Sequence, residues 1–116
     1  KVVDLAAAPG SWSQVIVDRL TASGEKDTAV VAVDVQPMRH LDGVTQVQGD
    51  ITREETADMI ISLIGERQCD VVLCDGAPDV TGIHVLDEYC SSGLVTSAVR
   101  LASMLLRDGG TFVCKV

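Results

Sequence analysis

Aromatic residues are nearly absent from this chain of 116 residues, which has one Trp, one Tyr and one Phe. Any core must therefore be aliphatic. At 47% hydrophobic residues there is enough Val, Leu, Ile and Ala to build one, and disorder is excluded. Cysteine is sparse and wrongly spaced for a metal. Cys69, Cys74, Cys90 and Cys114 contain no C-x-x-C pair, and His40 and His84 stand alone. No metal centre is expected. Cys74 and Cys114 fall in apolar runs, where buried thiols are the default, and reduced thiols fit a cytoplasmic setting. No apolar run is long enough to span a membrane.

Positive charge is scarce as well. Nine Lys and Arg face seventeen Asp and Glu, for a net charge of −8. Phosphate contacts normally come from Lys and Arg. Either the chain does not act on nucleic acid, or the basic surface lies outside these residues. There is no initiator Met, and the chain starts and stops in strand-like runs. The expectation is one domain over residues 1–116, partial and cut before its last strands, so a leader cannot be judged from it.

What is present alternates in a regular way. Val2 to Ala6 reads as a buried strand. Ser11 to Ser23 follows as a helix, with Trp12, Val15, Ile16 and Leu20 at helical spacing and Gly24 at its end. Thr28 to Val33, ending in Asp34, is a second strand, and Val44 to Val47, before Gly49-Asp50, a weaker third. Thr52 is placed to cap a helix, with Glu55 completing a capping box and Met59, Ile60, Leu63 and Ile64 as its apolar face. Asp70 to Cys74 is a fourth strand, ending at Asp75. A polar loop leads to a helix from about Leu86 to Leu106 whose inner side carries Leu94, Val95, Ala98, Leu101, Ala102 and Leu105. Asp108-Gly109-Gly110 reads as a turn, and Thr111 to Val116 as the fifth strand. Apolar strands separated by helices predict an α/β fold, Rossmann-like, with a parallel sheet covered on both faces. In such folds ligands bind beyond the carboxyl ends of the strands.

The chemistry-bearing residues gather at those ends. Pro9 and Gly10 precede a helix whose first N–H groups lack partners, which suits a small anion such as a carboxylate. An ordinary strand-to-helix turn would read the same way. With Ala where a G-x-G-x-x-G loop needs Gly, a dinucleotide pyrophosphate is disfavoured. Asp34 is placed to accept from ribose hydroxyls, and Asp50 from an adenine amino group; a solvated turn is the alternative for each. Asp75 and Lys115 end neighbouring strands. They are either a structural ion pair or a base with its electrostatic partner. A lysine acts as base only when neutral, so its pKa must fall from about 10.4. Asp75 opposes that, and a second cation is needed that this sequence does not supply. Tyr89 suits base stacking or simple packing.

Together, Val3 to Gln14, Asp34, Gly49-Asp50, Cys74 to Asp79 and Phe112 to Lys115 resemble, in order, the motifs of the FtsJ-type RNA 2′-O-ribose methyltransferases. Residues Cys74 to His84 and Asp87-Glu88-Tyr89 look most like the eukaryotic tRNA anticodon-loop enzymes. The resemblance implies a class I methyltransferase core that binds S-adenosylmethionine and releases S-adenosylhomocysteine. Gly10 and Trp12 would contact the methionine part, with Ser11 between them in the same loop. Asp34 would hold the ribose, Asp50 the adenine with Ile51 beside it, and Asp75 would lie near the sulfonium. Lys115 would be the proton acceptor. Asp75 and Lys115 match the second and third members of the family's Lys-Asp-Lys-Glu tetrad. The first Lys and the Glu have no matching position, so these residues alone are expected to bind cofactor without turnover.

The resemblance also implies tRNA as partner and a helper subunit that guides it. Ribosomal RNA and mRNA caps remain as alternative substrates. A catalytically silent cofactor- or RNA-binding module and a nicotinamide-dependent oxidoreductase remain as alternative functions.

Overall fold

A computed structural model describes residues 1–5, 11–24, 28–74 and 84–114. The elements run β1 (Val2–Leu5), α1 (Ser11–Ser23), β2 (Val30–Asp34), β3 (Val44–Gln48), α2 (Glu54–Ile64), β4 (Cys69–Cys74), α3 (His84–Leu105) and β5 (Leu106–Cys114). The five strands form one sheet, all pairs parallel, in the order β3-β2-β1-β4-β5. Each element expected from the hydrophobic pattern is present, with ends shifted by a few residues.

Alternation along β2 shows how both faces are used. Val31 and Val33 join Val3, Leu5 and Val72 in a cluster with Ile60 and Ile64 of α2 and Ala98, Leu101, Ala102 and Leu105 of α3. Val30 and Ala32 point the other way, to a smaller cluster against Ile16, Val17 and Leu20 of α1. Two helices thus cover the first face and one covers the second. The change of face falls between β1 and β4, the switch point beside which doubly wound sheets place their ligands.

Four local expectations change. In α1 the inward residues are Ser13, Ile16, Val17 and Leu20, while Val15 is half exposed. The apolar count missed a stripe centred on a buried serine. In α2 the buried set is Thr56, Ile60 and Ile64, with Ala57 and Ile61 packed beside them, and Met59 and Leu63 are about half exposed. Contact with both the sheet and α3 turns the helix away from the face that apolarity alone suggested.

Thr52 does not cap α2. The N-cap residue is Arg53, which makes no side-chain cap bond, because the Thr52 hydroxyl is engaged by Asp50 at 2.7 Å. Asp108-Gly109-Gly110 does not separate α3 from a strand starting at Thr111. The strand begins at Leu106, paired with Cys69, and resumes at Thr111, paired with Val71. Residues 107–110 therefore bulge opposite Asp70 alone, with Gly109 at φ +81°. Asp70 holds that bulge. It accepts from Arg107 Nε at 2.5 Å, across the two strands.

Candidate functional site

Two of the expected acids meet at the carboxyl edge of the sheet. Asp34 is the last residue of β2 and pairs in register with Gln48, two residues before Asp50. The Gly49 N–H donates to the Asp34 carbonyl at 2.9 Å and locks the two strand ends together. Gly49 is required there. A Cβ at that position would lie 2.7 Å from Oγ1 of the buried Thr56.

Both carboxylates are oriented by the same local device. Asp34 Oδ1 accepts the Gln36 N–H at 2.8 Å, and Asp50 Oδ1 accepts the Thr52 N–H at 2.9 Å. Such Asx-type turns hold an acid in one rotamer. Asp50 takes a second bond from the Thr52 hydroxyl, and these two bonds hold its carboxyl below the ordinary aspartate value. It is therefore an acceptor throughout the physiological range. Ile51, next to it, is buried in the core beneath the edge and anchors that segment.

At the start of α1, Ser11 is the first helical residue and Trp12 is partly buried. One strong interaction here was not expected from sequence. Asp4, in β1, is wholly buried and accepts a hydrogen bond from the wholly buried Ser13 hydroxyl at 2.7 Å. The signal was available: an Asp inside an apolar strand run, and a Ser where the helical stripe wanted an apolar residue.

Gly10, Asp75 and Lys115 lie outside the described residues. What is described is the pair of strand residues just before the last two. Cys74 and Cys114 are Cα partners on β4 and β5. Several basic side chains are engaged elsewhere: Arg67 with Asp108, Arg107 with Asp70, and Arg100 with Glu54. Among the described residues no group of three His, Cys, Asp or Glu could hold a metal ion. No described helix is long and apolar enough to cross a membrane.

An adenosine-bearing ligand fits the donor set. Two oriented carboxylate acceptors stand at adjacent strand ends for hydroxyl and amino donors. A helix N-terminus stands two strands away for an anionic group.

The family model described as FtsJ-like methyltransferase matches residues 1–116. The tRNA (cytidine(32)/guanosine(34)-2'-O)-methyltransferase of Homo sapiens is 49% identical over the whole chain, and that of Schizosaccharomyces pombe 48%. The chain spans 35% and 43% of the lengths of those two relatives. The crystal structure of a ribosomal RNA methyltransferase from Plasmodium falciparum superimposes with a TM-score of 0.79 at 24% identity, over 97% of this chain and 64% of that one. That last likeness speaks to the fold.

Proposed function

This chain belongs to the FtsJ-like methyltransferase family, and on that premise we propose that residues 1–116 are the cofactor-binding domain of an RNA 2′-O-ribose methyltransferase acting on the tRNA anticodon loop. The observation that carries the reading is the pair Asp34 and Asp50, oriented side by side by Gly49 and Thr52 at the carboxyl edge of the sheet.

Asp34 would accept from the ribose hydroxyls and Asp50 from the adenine amino group. Gly10, Ser11 and Trp12 would receive the methionine part at the start of α1. S-adenosylmethionine supplies the electrophilic methyl when bound. Lys115 would take the proton from the ribose 2′-hydroxyl as its oxygen becomes the nucleophile, and Asp75 would orient Lys115. Such a site works mainly by orientation and charge placement. The neutral Lys115 amine that this needs calls for a second cation nearby, which the wider protein would contribute. The same holds for the basic surface that a domain with a net charge of −8 needs in order to engage RNA. A helper subunit that carries the tRNA would serve the same end, in the cytoplasm.

Titration with S-adenosylhomocysteine and with NAD tests the cofactor assignment. Binding of the former and not the latter is expected. Binding of NAD alone would overturn it.

A further inference from the structure

We propose that Asp4 and Ser13 are a positioning pair for the cofactor, fixing the start of α1 on β1 and not touching the ligand itself. The inference rests on the reading above, in which the segment between β1 and α1 receives the methionine part.

Asp4 occupies a position made for an apolar side chain. Its neighbours along β1, Val3 and Leu5, are fully buried. Its register partners are Ala32 on β2 and Leu73 on β4. Ser13 occupies the matching position on α1, on the stripe that otherwise presents Ile16, Val17 and Leu20 to the sheet. Both residues are 0% exposed, and the Ser13 hydroxyl donates to Asp4 Oδ2 at 2.7 Å.

Burying a carboxyl group costs free energy that a hydrogen bond at best offsets, and apolar residues of similar volume are commonly as stable or more so. Core stability therefore does not explain why two polar residues meet here. Their place in the chain does. Asp4 lies two residues before Ala6, and Ser13 three residues after Gly10. Their bond ties the strand to the first turn of the helix. A directional hydrogen bond fixes how far α1 is rotated and advanced relative to β1, which an apolar contact would leave free to slide. The N–H groups of the first turn are thereby held at one distance from the strand end before any ligand arrives. Such preorganisation raises affinity by removing an ordering cost.

The test is calorimetric titration of the full chain with S-adenosylhomocysteine, alongside thermal unfolding without ligand. Ser13→Ala should raise the dissociation constant roughly fivefold, the scale of one lost hydrogen bond of about 1 kcal/mol. Val17→Ala, on the same helix face, should lower the unfolding midpoint and leave the dissociation constant within about twofold, since it changes packing alone. If Ser13→Ala fails to fold, Ser13→Cys keeps the volume with a weak donor, and the same rise is expected. A Ser13 variant that loses stability like Val17→Ala but binds with unchanged affinity would overturn the positioning role. Absence of S-adenosylhomocysteine binding by the unmodified chain would instead overturn the cofactor reading, and this inference with it.

Discussion

Cys74 and Cys114 are Cα partners on adjacent parallel strands, β4 and β5, and the residue that follows each in the chain is a candidate catalytic side chain. Their register is the described geometry on which the proposed pairing of Asp75 with Lys115 stands. The expected consequence is a separation of roles. Lys115→Ala should abolish methyl transfer and leave the S-adenosylhomocysteine dissociation constant within a few-fold. A full-length Lys115→Ala protein that still methylates at near the original rate would remove Lys115 from the base role.

Asp34 should carry cofactor affinity. Replacing it with Ala removes a charged acceptor for two hydroxyl donors, an interaction of about 1.5–3 kcal/mol. That corresponds to weakening by about tenfold to a hundredfold, readable by titration calorimetry. Unchanged affinity would reduce Asp34 to a solvated turn residue.

Gly49→Ala should destabilise the fold by about 1–3 kcal/mol, the usual cost of overpacking. The added Cβ meets Thr56, a short β-branched residue with no flexible end to move aside. Thr56→Ala in the same chain should recover part of the loss. Urea unfolding of the single and double variants measures both.

Asp50 gives a pH signature. Its carboxyl is lowered by the Thr52 hydroxyl and then by the Thr52 N–H, so the folded state binds its proton less tightly than the unfolded state. The resulting stabilisation is present above the unfolded value of about 3.9 and is lost as pH falls through the folded value. Thr52→Val removes the larger cause. Carbon-detected NMR titration should then show the Asp50 value move up toward that of a free aspartate. A value that stays in place would assign the shift to other groups.

The order of elements was legible in the sequence because buried parallel strands read as unbroken apolar runs and each helix carried its own stripe. The strand-end acids were legible because a polar residue closing such a run has few other places to go. Helix rotation was less so. Met59 and Leu63 look like core residues, yet α2 must serve both the sheet and α3, and Thr56 and Ile60 face inward instead. Asp4 and Ser13 were missed because each is polar, and only their meeting explains why both are buried. The bulge opposite Asp70 was read as a turn because Asp-Gly-Gly serves either purpose, and the register on β4 decides which.

The central claim is a methyl transfer to an RNA ribose. The most direct test is incubation of the full-length protein that carries these residues, with any helper subunit, with S-adenosylmethionine and unmodified tRNA, followed by nucleotide-resolution mapping of 2′-O-methylation. The account predicts a new 2′-O-methyl group in the anticodon loop, absent with Lys115→Ala. Methylation confined to a base, or tRNA left unmodified by a full-length protein that binds the cofactor, would contradict it.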